Sequence, residues 1–445
     1  MNKINTSPIS GTQELLPETQ AIFDSLKTKI NDSYKNHGFL NIETPSIERT
    51  EILLAKAGGD TEKQIYKVAK TAEDITEADQ ALRFDHTVPL ARYIVEHESS
   101  LTFPLKAAQI GINFRGERAQ KGRFREFYQC DIDIIGRSAL PIAYDADVIS
   151  TLLDTFNAFG LQTPVLARIS NRKIISGFLT ALNLEEKSAK ICSIIDHSEK
   201  VTPEKTKEDL EVLKLTKDQV KTLLAFIELH GDRSTVVTAL SNLEIDNNTF
   251  LSGVTELDQT MYYLESVGLA DQIEADMKIV RGLDYYTGTV FEFILPEHKN
   301  IGSVCGGGRY DNLTGYFTDK TFPGVGGSIG LNRLFYVLNE KELLPETESS
   351  ELVDYAIIPI SEQEYDEAFS VSSRLREKNY STTLVLSDKK LGDKLSYAAK
   401  VAKHGVVIGE AEVESKILQA KNFETGETTE LNIEVISNPE DFWND

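Results

Sequence analysis

Residues 281 to 293 read Arg281-Gly-Leu-Asp-Tyr-Tyr-Thr-Gly-Thr-Val-Phe-Glu-Phe293. A guanidinium sits on a glycine-flexed turn, and the chain then enters Thr289, Val290, Phe291, Glu292 and Phe293, whose β-branched and aromatic content predicts a strand. The arginine is thus expected to be held on sheet beside Tyr285 and Tyr286. Chemistry on a phosphate or carboxylate uses such an arrangement, because arginine stays charged and offers a planar fork of donors. An arginine paired with Asp284 in a buried turn, with the tyrosines as core aromatics, fits the stretch equally well.

Downstream, Ser303-Val-Cys-Gly-Gly-Gly-Arg-Tyr-Asp311 predicts a strand meeting three glycines. Gly306, Gly307 and Gly308 let backbone approach a ligand; a tight bend is the alternative. No Gly-Lys-Ser/Thr follows, so this is not a P-loop. Gly324-Val-Gly-Gly-Ser-Ile-Gly330 misses the dinucleotide spacing and leads into a helix with Leu331, Arg333, Leu334, Val337 and Leu338. An arginine at the start of so apolar a helix calls for an anionic partner.

Upstream, Phe114-Arg-Gly-Glu-Arg-Ala-Gln-Lys-Gly-Arg-Phe-Arg-Glu-Phe127 predicts two extended arms around a loop at Gln120 to Gly122. Tyr128 to Ile134 alternates, with Gln129, Asp131 and Asp133 on one face and Tyr128, Cys130, Ile132 and Ile134 on the other. Carboxylates facing inward require cationic or donor partners, unless the hairpin faces solvent and its charges pair there. Leu82-Arg-Phe-Asp-His-Thr87, if extended, projects Asp85 and Thr87 from one face, suited to an ammonium group; the two are otherwise a capping pair for a helix from Val88 to Glu96.

Toward the start, Ile22, Phe23, Leu26, Ile30 and Tyr34 form the apolar stripe of a helix from about Thr19, stopped at His37-Gly38. Phe39 to Pro45 then predicts a strand ended by proline, and Lys56 to Ala81 a long mobile loop able to act as a flap. From Lys173 to Asn248 leucine and isoleucine recur at helical spacing among charges, as in an inserted helical module. Beyond Leu343, strands at Val353 to Ile360, Thr382 to Leu386 and Gly405 to Ile408 alternate with helices at about Glu362 to Lys378 and Leu391 to Lys403, a small α/β domain with a mainly parallel sheet. Its second helix region carries a basic cluster that includes Lys389, Lys390 and Lys394, a binding surface or a solvated helix face.

With 445 residues the chain is long enough for two or three cores, and 40% hydrophobic with 26% charged residues is a soluble balance. No apolar run has membrane-spanning length and the start lacks a signal peptide's apolar segment, so a cytoplasmic protein is expected. Cys130, Cys192 and Cys305 fit neither a disulfide framework nor a zinc motif, and no structural metal is expected. The net charge of -23 argues against general nucleic-acid binding but leaves room for a local basic surface.

Together these segments resemble the class II aminoacyl-tRNA synthetases, and within them the histidyl-tRNA synthetase family. The helix and strand ending at Pro45 are similar to the class dimer motif, Phe114-Arg-Gly-Glu through Arg-Glu-Phe127 to its second motif, and Gly-Gly-Ser-Ile-Gly-Leu-Asn-Arg333 to its third. Arg281-Gly-Leu-Asp-Tyr-Tyr286 and Cys305-Gly-Gly-Gly-Arg-Tyr-Asp311 are similar to the two histidine signatures. Asn332, Asp85 and Asp133 depart from the commoner pattern, standing where many members carry glutamate.

The resemblance implies an α+β catalytic domain with a mainly antiparallel sheet flanked by helices, in two parts at 1–172 and 249–342. A helical insertion at 173–248, a linker at 343–350 and a C-terminal α/β anticodon-binding domain at 351–445 complete it. It implies ATP as substrate with Mg2+, L-histidine, tRNA(His), and a homodimer. By motif position, Arg115 would hold the α-phosphate, Glu117 and Arg123 the rest of ATP, Arg333 the far end of the triphosphate, and Arg281 the reacting carboxylate and α-phosphate. Asp85, Thr87 and Gln129 would surround the α-ammonium group, and Asp133 and Tyr286 the two imidazole nitrogens, with Tyr285 nearby. Gln120 would meet the acceptor end of the tRNA, and Lys389, Lys390 and Lys394 are candidates for further tRNA contact.

Overall fold

The computed structural model describes residues 4–55, 62–72, 74–280, 286–344 and 352–432, so Arg281 and Tyr285 lie outside the described residues. Two compact units divide the chain, one of Met1–Glu14 with Phe23–Pro345 and one of Leu15–Ile22 with Glu346–Asp445.

The first unit is built on a nine-stranded sheet. The hairpin Leu105–Phe114 and Glu126–Ile135 is followed in space by Gly324–Gly330, the central strand Cys305–Tyr310, Thr289–Ile294 and Leu166–Asn171. Every pairing in that run is antiparallel. Parallel pairs flank that run on either side, Leu40–Asn41 on Leu105–Phe114 and Leu166–Asn171 on Ile273–Asp276.

One sheet face is covered by helices whose apolar stripes match it. Phe23, Leu26, Ile30 and Tyr34 are buried along the helix Pro17–Asn36, and the Tyr34 hydroxyl donates to the Cys130 carbonyl at 2.9 Å. Phe156 of the helix Ala143–Ala158 meets Phe293 with ring centroids 5.6 Å apart. The glycines of Gly324–Gly330 allow this closeness: a Cβ on Gly327 would lie 2.6 Å from Leu152 and 2.9 Å from Phe291. Nearby, Arg309 forks onto buried Asp145 and donates to the carbonyls of Leu140 and Pro141, tying the three-glycine strand to that helix.

Several sequence expectations change. Phe39 to Pro45 contributes only Leu40–Asn41 as strand, because proline and the turn before it leave little backbone to pair. Within 56–81, the described residues hold 3-10 turns at Glu62–Gln64 and Ile75–Glu77. Lys67–Val68 and Gln80–Leu82 join Ile47–Arg49 in a three-stranded antiparallel sheet, so the stretch is not loop throughout. The flap reading for residues 56–61 lies outside the described residues. Extended chain ends at Leu82 rather than Thr87, because a helix begins at Thr87.

The stretch from Lys173 to Asn248 is helical as expected except at His230–Gly231, which adds an edge strand against Ala275 and Asp276.

In the second unit Thr382–Leu384, Val353–Pro359 and Ala402–Ile408 run parallel, with helices Tyr365–Glu377 and Leu391–Val401 between them. The sequence reading missed the antiparallel pair Ile417–Asn422 and Thr428–Asn432 that extends this sheet. Among the described residues no helix is long and apolar enough to cross a membrane.

Candidate active site

The hairpin strand Glu126–Ile135 sets the site, because its two-residue period sends Gln129, Asp131 and Asp133 to one side. They face Gly330, Ser328 and Gly326 across the sheet, so small residues leave open space above the acids. Two cavities occupy that space.

The larger, about 330 Å³, is lined by Arg115, Glu117, Arg123, Gln129, Gly306 and Arg333 among others. The smaller, about 40 Å³, is lined by Thr87, Asp133, Tyr286, Tyr310, Gly306 and Ser328 among others. Gly306 and Ser328 line both, so an elongated ligand can place a charged end among arginines and a small polar end among Asp133 and the tyrosines.

Arg115 leaves the hairpin arm with its guanidinium between the rings of Phe84 and Phe127, 4.5 and 5.0 Å from their centroids. Its Nε donates to the Phe84 carbonyl at 3.3 Å and its Nη2 to Gln129 Oε1 at 3.3 Å. Burial lowers its pKa, an effect that the charges of Asp85 and Glu117 oppose. Arg123 reaches Glu117 at 3.5 Å, and Arg333 donates to the Ile301 carbonyl at 2.7 Å. The backbone of Gln120 pairs with Arg123 across the exposed hairpin loop.

In the smaller cavity Asp133 Oδ1 accepts from the Tyr310 hydroxyl at 2.6 Å. Burial pushes its carboxyl up to about 7, and the nearby charges of Asp131 and Asp85 add to the rise, while the Tyr310 hydrogen bond works against it. Burial first, and Asp133 next, raise the Tyr286 phenol. Asp131 accepts from Ser328 Oγ on one oxygen and meets His86 Nδ1 at 3.1 Å on the other.

The candidate residues separate on inspection. Arg115, Glu117, Arg123, Gln129 and Arg333 come together in the larger cavity, and Thr87, Asp133 and Tyr286 in the smaller. Asp85, one residue before the N-cap His86 of the helix that begins at Thr87, accepts from the Val88 amide at 3.0 Å through Oδ1, so this oxygen serves the first turn of the helix as the capping alternative has it. Of the three glycines only Gly306 lines the two cavities. A Cβ there would meet protein only at 3.5 Å, whereas on Gly307 it would strike the Gly326 carbonyl at 2.1 Å and on Gly308 the Thr289 carbonyl at 2.5 Å. Gly307 and Gly308 are closely packed, Gly308 against Tyr286 as well as its neighbouring strand.

Lys394 also requires correction. Its Nζ is buried and donates to the carbonyls of Pro359 and Ile360 at 2.9 and 3.2 Å, so it is not a surface contact. Lys389 and Lys390 are exposed. Sequence reasoning gave no role to Tyr310, Ser328, Asn113 or His86. The only signal for Ser328 was its polarity within a run of glycines, and the register that sets it opposite Asp131 appears only in the fold.

A family model described as histidyl-tRNA synthetase matches residues 11–334, and one described as anticodon binding domain matches residues 354–438. The histidine–tRNA ligase of Clostridium tetani is 42% identical over 434 residues, covering 97% of this chain and 97% of that protein. That of Clostridium acetobutylicum is 41% identical, covering 98% of this chain and 100% of that protein. The crystal structure of histidyl-tRNA synthetase from Nostoc sp. PCC 7120 superposes with a TM-score of 0.87 at 35% identity, covering 97% of this chain and 98% of that one. With a mixed, mainly antiparallel sheet around an arginine-lined cleft, and with likeness that runs nearly end to end, the chain belongs to the histidyl-tRNA synthetase family, class II synthetases with a C-terminal α/β anticodon-binding domain.

Proposed function

We propose that the two joined cavities are where this ligase activates L-histidine with ATP, giving histidyl-adenylate and pyrophosphate, and then passes histidine to the 3′ end of tRNA(His). The observation that carries the reading is the shared rim at Gly306 and Ser328, which sets a buried Asp133 and Tyr286 on one side and three arginines on the other. In the first step a carboxylate oxygen of histidine attacks the α-phosphorus and the bond to the β-phosphate oxygen breaks. The carboxylate needs no base, so the demand falls on alignment and charge neutralisation.

Arg115 and Arg281 serve the reacting phosphate and carboxylate, Arg123 and Arg333 the outer phosphates, and Glu117 helps orient the nucleotide. Asp85, Thr87 and Gln129 receive the α-ammonium group. Asp133 and Tyr286, with Tyr285 nearby, read the imidazole, and a partner at each ring nitrogen rejects apolar side chains of similar size. In the second step a ribose hydroxyl attacks the adenylate carbonyl, AMP leaves, and a phosphate oxygen takes the proton. Mg2+ arrives on the triphosphate; among the described residues no group of three His, Cys, Asp or Glu could hold it alone.

Gln120, Lys389 and Lys390 are offered to tRNA. The working organisation is catalytic parts at 1–172 and 249–342, a helical insertion at 173–248, a linker at 343–350 and the anticodon-binding domain at 351–445, in a cytoplasmic homodimer. Exchange of pyrophosphate into ATP with each of the twenty amino acids tests the reading. Exchange with histidine alone, abolished in Arg281→Ala, is expected; histidine binding without exchange would instead make the chain a non-activating paralogue.

A further inference from the structure

The side-chain amide of Gln129 is held at both ends. Its Nε2 donates to Ser328 Oγ at 2.7 Å. Ser328 gives its one proton to Asp131, whose other oxygen meets His86, so Ser328 can receive Gln129 only as an acceptor. At the opposite end Gln129 Oε1 accepts from Asn113 Nδ2 at 2.9 Å and from Arg115 Nη2 at 3.3 Å. A carbonyl oxygen has two lone pairs, and both are engaged. Turning the amide over offers no escape, because it would set an NH2 group against the Arg115 donor and a carbonyl oxygen against Ser328 Oγ, whose proton is directed at Asp131. Asn113 is fully buried, and its own Oδ1 has no hydrogen-bond partner.

An ammonium group has three donors and no acceptor, so it can use Gln129 only through Oε1. Resting on the roles proposed above for Arg115 and Gln129, we infer that Arg115 occupies the Gln129 carbonyl until the α-phosphate of ATP draws it away, so that nucleotide binding opens an acceptor for the ammonium group of histidine. Asn113 makes the competition strict by taking the second lone pair, and the Asp131–Ser328 pair makes it directional by fixing the amide. Asn113 is thus a positioning residue whose removal relaxes the coupling. By reciprocity, bound histidine tightens ATP by the same factor.

Calorimetric titration of the full-length protein with L-histidine, alone and with saturating α,β-methylene-ATP and Mg2+, tests this. In the wild type the analogue is expected to tighten histidine by about fivefold or more, the lower end of ordinary coupling between sites. In Asn113→Leu, which keeps the branching of the side chain and frees a lone pair, histidine alone binds tighter than in the wild type. The enhancement there falls to about twofold, the remainder being direct attraction between ammonium and phosphate across water. Asn113→Ala serves as the second variant where the leucine variant melts early. No enhancement in the wild type, or an undiminished one in both variants, overturns the coupling while leaving the site assignment standing. Absence of histidine binding in every arm overturns the site assignment and the coupling with it.

Discussion

The hydroxyl of Tyr310 stands 2.6 Å from Oδ1 of Asp133, and both residues line the smaller cavity. It is a donor aimed at a carboxyl that burial has raised to about 7, and it acts against that rise. Burial carries the Asp133 carboxyl upward, and the Tyr310 bond holds it lower than burial and the neighbouring charges alone would.

Removing the hydroxyl in Tyr310→Phe takes away a bond that favours the charged form, so the carboxyl must rise above about 7. If ionised Asp133 accepts an imidazole N–H, the acidic limb of the pH profile of kcat/KM for histidine moves to higher pH. The loss is then greatest below neutrality and shrinks above it. A uniform loss across pH, with the limb unmoved, would show that Tyr310 does not act through Asp133.

The same carboxyl has a cost for the fold. Folding raises it from the ordinary 3.8 to about 7, so the folded chain binds its proton more tightly than the unfolded chain does. Stability from this group is complete below the unfolded value and lost as pH rises through about 7. Asp133→Asn keeps an acceptor for Tyr310 and carries no charge. It is expected to melt a few degrees higher than the wild type at pH 8, by less at pH 5, to match it only toward pH 3.8 and below, and to lose histidine-dependent exchange. Identical melting at both pH values would contradict the burial cost.

The glycines separate two kinds of close approach. Gly306→Ala adds a methyl group into the shared rim, with protein no nearer than 3.5 Å. It should fold normally and raise KM for histidine or ATP. Gly307→Ala drives a methyl group within 2.1 Å of the Gly326 carbonyl and 2.5 Å of the Phe291 ring, and should lower stability by about 1–3 kcal/mol or more. Soluble expression and thermal melting of the two variants decide the matter; equal destabilisation would place both glycines in the packing.

This distinction marks how far the sequence could be read. The alternation of Gln129, Asp131 and Asp133 is a local property, and it correctly put three polar groups on one sheet face. Which glycine lines the cavities depends on the register of Cys305–Tyr310 against two neighbouring strands, set by contacts far apart in the chain. The same holds for Ser328 and Tyr310, both within quoted motifs yet given roles only by their cross-strand partners. Asp85 shows the opposite case. Its capping bond to Val88 was legible from the three-residue spacing, and the extended reading failed because helix geometry begins at Thr87.

The lysine cluster of the second unit divides in the same manner. Lys394 crosses from the helix Leu391–Val401 to the end of Val353–Pro359 and satisfies two carbonyls there, whereas Lys389 and Lys390 stand exposed just ahead of that helix. Lys394→Met leaves those carbonyls without their charged donor and should destabilise the second unit by about 1–3 kcal/mol. Lys389→Ala with Lys390→Ala should leave melting unchanged and weaken tRNA(His), reducing the salt dependence of binding by roughly one to two counterions. Melting curves and salt-dependent binding isotherms on the same preparations separate the two. Weakened tRNA binding with unaltered melting in Lys394→Met would return that lysine to the surface, against its burial in the fold.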